Sequence, residues 1–364
     1  MHKKLIGGKF IMAIIDKPTD FFKTKLYTGN DGTQSVTGVG FKPDWIWIKT
    51  RAQSNNSTVF DIVRGVTKRL RINQSNAENT SSGVTSFNSD GFTVGSDSAG
   101  NSGTMVAWNW KAGTSFTNDA SGTGIGTIDS AGSFNDTSGF SIVTYTGNGS
   151  SGASVKHGMN QKPAMLIVKD RDASNEGWLV YHQKLGATKY LRLNETGAAA
   201  SGSAYWNNTL PTSSVFTIGN NDVINKSGDD YVGYCFAEKP GYSKFGEYRG
   251  NSSDDGTFVY TGFKTAFVIF RRSSASSSNW VMQDNKRSST SGFNENSYSL
   301  KSNTANPEVT NESKIDFLSN GFKFRNAITD NNADGSDYIY MAFAENPFVT
   351  STTTDKDSIP ATAR

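Results

Sequence analysis

One succession of segments occurs three times in this chain of 364 residues, and it constrains the fold more than any single motif. It opens on a short phrase: YTGND at Tyr27–Asp31, YTGNG at Tyr145–Gly149 and YRGNS at Tyr248–Ser252. An apolar run ending in charge follows each time: DWIWIKTR (44–51), AMLIVKDR (164–171) and AFVIFRR (266–272). Short runs of this kind, rich in β-branched and aromatic residues, predict buried strands with the charges at their exits. Lys42-Pro43 and Lys162-Pro163 precede two of them, and a proline there opens a strand without costing a ladder hydrogen bond. Next come VFDIVRGVTKRLRIN and LVYHQKLGATKYLRLN, in which Gly65, Thr67, Lys68, Leu70 and Asn73 match Gly186, Thr188, Lys189, Leu191 and Asn194 at identical offsets. Gly-x-Thr-Lys between two alternating runs is a hairpin signal. The third copy keeps the flanks WVMQDNKR and YSLKSN around a longer polar loop, SSTSGFNEN. The first and third copies share FNSDGFTV (87–94) and FLSNGFKF (317–324), and every copy closes on a last strand, MVAWNW (105–110), YVGYCFAE (231–238) or YIYMAFAE (338–345).

No apolar pattern of helical period runs beyond two turns, and units of about 90–110 residues exceed the ~20–50 of solenoid modules. The pattern predicts an all-β chain of three tandem antiparallel β-sandwich domains, jelly-roll or concanavalin-like. The boundaries read as an N-terminal segment 1–22, repeat 1 over 23–113, a Gly/Ser/Thr-rich linker 114–138, repeat 2 over 139–242, repeat 3 over 243–349 and a polar tail 350–364. The linker composition predicts a flexible or surface-draped segment, whereas repeats 2 and 3 follow each other directly and are expected to pack as a rigid pair. Met12 reads as an alternative start, because Gly7-Gly8 can be encoded by a bacterial ribosome-binding sequence. The three tyrosines of the repeated phrase predict one inward-facing ring at the start of each unit.

Hydrophobic residues form 35% of the chain and aromatic residues 12%, which predicts small cores filled by rings. A net charge of +3, spread along the chain, argues against a nucleic-acid partner. The densest basic run, Lys68-Arg69-Leu70-Arg71, reads as a solvated strand edge. Cys235 reads as a small buried hydrophobe and permits folding in a reducing compartment. No run approaches ~18 apolar residues, so no membrane insertion is expected.

Candidate chemistry is sparse. His2, His157 and His182 form no metal-ligand spacing, and the latter two read as surface or turn histidines. Asp330-Asn331-Asn332-Ala333-Asp334-Gly335 opens like a calcium loop, but Met341 stands where a bidentate Glu is needed, and a hairpin loop is the simpler reading. Glu238 and Glu345 recur as FAE and read as solvated strand ends. Trp45, Trp47, Trp108, Trp110, Trp178 and Trp280 read as core; Trp206, in SAYWNNT, is also a candidate for stacking on a sugar. No catalytic, cofactor-binding or metal residue is assigned, no cofactor is expected, binding residues stay open, and the chain is not read as an enzyme.

MAIIDKPTDFFKTKLYTGN, GFKPDWIWIKTR, FNSDGFTVG, VAWNWKAG, YCFAEKPGYSKFGEYRGN, DFLSNGFKF and YIYMAFAENPF together resemble virion structural, tail-fibre-like proteins of short-tailed marine bacteriophages, over residues 12–349. The resemblance implies a non-enzymatic virion protein made in the bacterial host cytoplasm. It implies a tail-fibre or tail-associated component that contributes to host-surface attachment; the alternatives are a capsid or tail decoration (knob) protein and a carbohydrate-binding module array. The implied partners are other virion proteins and a host surface glycan or protein. Phage fibres are commonly trimeric, so a homo-oligomer, a trimer in particular, is expected.

Overall fold

The computed structural model describes residues 4–6, 9–11, 14–287 and 294–348. Met12, residues 288–293 of the third copy's loop and the tail 350–364 lie outside the described residues. The chain is all-β, built from layered antiparallel sheets as expected.

Each copy forms one sheet with the same strand order. The first unit runs from its opening strand Phe22–Thr28 through its closing strand Thr104–Trp110 to its middle strand Trp45–Thr50, then Thr58–Asp61 and Lys68–Arg71. The second runs Phe140–Thr146, Asp230–Phe236, Met165–Asp170, Leu179–His182 and Lys189–Arg192. The third runs Ser243–Arg249, Asp337–Pro347, Phe263–Arg272, Val281–Asp284 and Glu295–Lys301. The closing strand thus sits between the opening and middle strands and ties the two ends of each unit together.

The middle strands are apolar throughout because both of their faces are covered. Trp45 and Trp47, Met165 and Ile167, and Phe267 and Ile269 point into one core common to all three units. The alternate residues point the other way, into a smaller core private to each unit: Ile46 and Ile48, Leu166 and Val168, Val268 and Phe270. Short outer strands cover these private cores, among them Gln34–Thr37 with Gly91–Val94, Ala153–Lys156 with Val215–Ile218, and Phe258–Tyr260 with Gly321–Phe324.

The common core closes on three equivalent rings of the closing strands, Trp110, Phe236 and Phe343, none more than 1% exposed. Their centroids lie 6.4, 5.5 and 6.1 Å apart, so they form a triangle on an approximate threefold axis. The units are therefore not beads on a string. The total accessible surface is 13932 Å², against about 14,000 Å² for one compact body of 39.3 kDa.

Four expectations are corrected. The segment 114–138 is not a draped linker: Thr114–Asn118 and Ser130–Asn135 form a hairpin that extends the second sheet beyond its opening strand. Its small residues serve close backbone approach, since a Cβ on Gly132 would lie 2.0 Å from the Ile142 carbonyl oxygen. Repeats 2 and 3 are not a separate rigid pair, because the first unit packs on both through the common core. The small cores exist, but the largest is shared. The basic run 68–71 is also not a solvated edge throughout, because Leu70 is buried and Arg69 is 8% exposed and ion-paired with Asp97.

Trp110→Ala is expected to cost about 3–5 kcal/mol. Urea unfolding followed by circular dichroism should show the whole transition shifted; a loss confined to one third of the signal would contradict a shared core.

Candidate functional site

The repeated phrase is a clasp. Tyr27, Tyr145 and Tyr248 each donate their hydroxyl to a carbonyl of a one-turn helix in the same unit: Gly100, Ile224 (2.8 Å) and Asn331 (2.8 Å). Those helices are Ser98–Asn101, Asp222–Asn225 and Thr329–Asn332. Their last residues, Asn101, Asn225 and Asn332, accept through Oδ1 from the backbone N–H of Asn30, Asn148 and Asn251 at 3.2, 2.8 and 3.0 Å. The glycine between is required by space: a Cβ on Gly29, Gly147 or Gly250 would lie 2.3, 2.2 or 2.2 Å from backbone at the helix end. Tyr145 and Tyr248 are buried and stack on Tyr231 (5.1 Å) and Tyr338 (4.8 Å). Tyr27 is only partly buried and meets Phe92 edge-on at 5.9 Å, because Met105 stands where the other copies have the stacking tyrosine. The calcium-like string falls on the third of these helices. Asn332 completes the clasp, and Asp330 accepts from Asn279 N and Nδ2 at 2.9 and 2.8 Å. Among the described residues no three His, Cys, Asp or Glu side chains converge on a metal position.

The units meet in a closed ring, each using the same positions against the next. A buried cation at the end of each middle strand donates to a neighbour's backbone carbonyl. Lys49 reaches Thr304 (2.8 Å), Lys169 reaches Ser75 (3.3 Å) and Arg271 reaches Gly197. Burial lowers both ammonium groups to about 8. A backbone bond recurs beside each: Glu308 N to Arg51 O, Glu78 N to Arg171 O, Ala199 N to Ser273 O, at 2.7, 2.7 and 2.9 Å.

Two of the three interfaces carry a buried charge relay. Between the first and second units, Arg64 binds Asp61 (2.5 Å) and Glu78 (2.8 Å), Arg171 grips Glu78 with two bonds of 3.0 Å, and the Tyr234 hydroxyl donates to Asp61 (2.8 Å). Between the third and first, Arg287 binds Asp284 (2.6 Å) and Glu308 (2.7 Å), Arg51 binds Glu308 (2.7 Å), and the Trp108 indole donates to Asp284 (3.0 Å). Burial pushes the Glu78 carboxyl up, but Arg171 and Arg64 outweigh it and hold it below its usual range. The third interface has His182, Leu185, Ala199 and Ser273 at the corresponding places, with the His182 ring bonded to the Tyr340 carbonyl at 3.1 Å. Lys184 N donates to His182 Nδ1 (3.3 Å), so Nε2 carries the proton and the ring is neutral. These relays escape an apolar-pattern reading. Their signal was the recurrence of Asp-x-x-Arg at 61–64 and 284–287.

The singled-out residues are placed as follows. His157 and His182 are fully buried rather than at the surface, and burial lowers both to about 4. Trp206 is 1% exposed and packs edge-on against Tyr181 at 5.8 Å, so it offers no face to a sugar. The other six tryptophans are also buried, as is Cys235, whose thiol burial pushes up. Glu238 pairs with Lys244 (2.7 Å) and Glu345 with Lys264 (3.0 Å), and both are half-buried. The larger surface grooves are open and polar. One of about 530 Å³ runs beside the third unit's opening strand between Glu238, Lys244, Glu247 and Gln183.

Fold and interfaces together define an all-β body of three units locked by cyclic contacts. Residues 17–347 match a family model described as a domain of unknown function, DUF7483, and the chain belongs to that family. No curated protein matches it.

The folded chain keeps both buried histidines neutral down to about pH 4, whereas the unfolded chain protonates them from about 6.5 downward. The two histidines' contribution to stability is therefore full above pH 6.5 and falls between 6.5 and 4, by about 3 kcal/mol per histidine at the acid end. His182→Gln keeps an N–H for the Tyr340 carbonyl and should remove one histidine's share. Urea midpoints of the wild type and His182→Gln measured from pH 8 to 4 check this; the same pH dependence in both would contradict it.

Proposed function

We propose that this chain is a non-enzymatic bacteriophage virion structural protein, a tail-fibre or tail-associated component that contributes to host-surface attachment. The observation that carries the reading is the use made of the residues the three copies share. Tyrosine, glycine and asparagine of the phrase clasp each unit, and the middle-strand cations and backbone bonds join the units. The recurring positions hold a rigid body together, which is what a particle component needs. The phrases that resemble virion proteins are these same structural segments. Its partners in this reading are other virion proteins and a host surface glycan or protein. Among the described residues no helix is long and apolar enough to cross a membrane.

A second reading has its own support. The surface area of one compact body suits a decoration knob on the capsid or tail better than three projecting domains. Gold-labelled antibody against the purified chain, applied to intact particles, tests both. Label at the tail supports the first, label over the shell supports the second, and unlabelled particles overturn the virion reading. Sedimentation of the purified chain adds the oligomeric state: a self-standing fibre predicts a homotrimer, a knob a monomer.

A further inference from the structure

The third unit differs from the other two on the outside of its outer layer. Phe258 and Tyr260 stand two residues apart on the edge strand Phe258–Tyr260, so both rings leave the sheet on the same side while Val259 points inward. They are 42% and 58% exposed. The corresponding outer strands of the other units pair Val36 with Phe92 and Val155 with Phe216, as Val259 pairs with Phe322. Beside those valines stand Ser35 and Thr37, and Ser154 and Lys156. The fold is therefore built twice without rings at these positions.

Polar groups line the same face. Lys323 stands opposite Phe258, and Asp316 stands opposite Lys323. Lys323 pairs with Asp255 (2.6 Å), Arg325 with Asp316 (2.6 Å), and Arg325 also reaches Asp255 (3.5 Å). Opposite Tyr260 is Gly321, which leaves the floor beside that ring without a side chain. The result is a strip with two exposed rings beside two cations and two anions.

Size and charge select the ligand. Strands are ~4.8 Å apart and residues ~3.4 Å apart along them, so the strip is on the order of 100 Å². A stable protein interface needs about 800 Å² from each partner. One or two sugar rings fit the strip. The four charges cancel, which suits a neutral sugar: its C–H face covers an aromatic ring while its hydroxyls take charge-assisted hydrogen bonds.

We propose that this strip binds a neutral hexopyranose unit of a surface glycan, with Phe258 and Tyr260 stacking on the sugar and Asp316, Arg325, Lys323 and Asp255 bonding its hydroxyls. The proposal deepens the attachment reading and takes from it only the source of the glycan. Saturation-transfer NMR on the full chain, with millimolar methyl glucoside, galactoside and mannoside, tests it. Transfer to the ring protons of at least one sugar is expected. It should vanish in Phe258→Ala/Tyr260→Ala at unchanged melting temperature and persist in Ser35→Ala/Thr37→Ala. Absence of transfer from all three sugars, or transfer that survives the aromatic double variant, overturns the proposal. So does a double variant whose only defect is incorporation into particles, which would make the strip a protein contact. Labelling of particles is independent of these sugars, so failure here leaves the virion reading standing.

Discussion

The contact of Trp110, Phe236 and Phe343 on the central axis is the constraint from which the architecture follows. Each ring ends the inward-facing row of a closing strand. Each closing strand holds its unit's opening and middle strands together. Burying one such ring contributes about 1.5–3 kcal/mol, and no unit can bury its own inner face without the other two. The same demand explains the middle strands, which are apolar on both faces because one face meets the common core and the other a private one.

Around that axis the three interfaces share a backbone frame and differ in side-chain chemistry. Two use an aspartate, two arginines and a glutamate in sequence; the third has His182, Leu185, Ala199 and Ser273 at the four corresponding places. A network present whole or absent whole is what the energetics favour. Removing one member of a buried charge network strands the rest, at about 3–5 kcal/mol, whereas exchanging the whole set for apolar groups is close to neutral. The neutral imidazole of His182 keeps a hydrogen bond to the third unit without bringing a charge. The interface between the second and third units is thereby sensitive to acid through a histidine, and that between the first and second through Glu78, held low by Arg171 and Arg64.

Much of this was legible in the sequence. The repeat, the strand-rich fold and the burial of Trp45, Trp47, Trp108, Trp110, Trp178 and Trp280 all followed from local pattern, because alternation and run length report directly on a strand's two faces. What local pattern does not report is which chain segment covers a face. For that reason 114–138 read as a linker: its strands are ordered by ladder bonds to Phe140–Thr146, and Gly132 contributes by being small. His157 and His182 read as surface or turn residues because a lone histidine carries no signal of burial, and Trp206 read as a candidate for stacking on a sugar because its neighbours are polar. The relays join residues up to 257 positions apart, as in Arg51 and Glu308, and no window along the sequence contains them. The strip at Phe258 and Tyr260 was hidden for the opposite reason: aromatic residues in a strand read as core, and only the register shows which of them face outward.

The central claim is that three copies of one unit fold as a single cooperative body around a shared aromatic axis. Differential scanning calorimetry of the full chain tests it most directly. The account predicts one endotherm whose calorimetric and van't Hoff enthalpies agree. Two or three resolved transitions, or a van't Hoff enthalpy near one third of the calorimetric value, would show that the units melt independently and would contradict it.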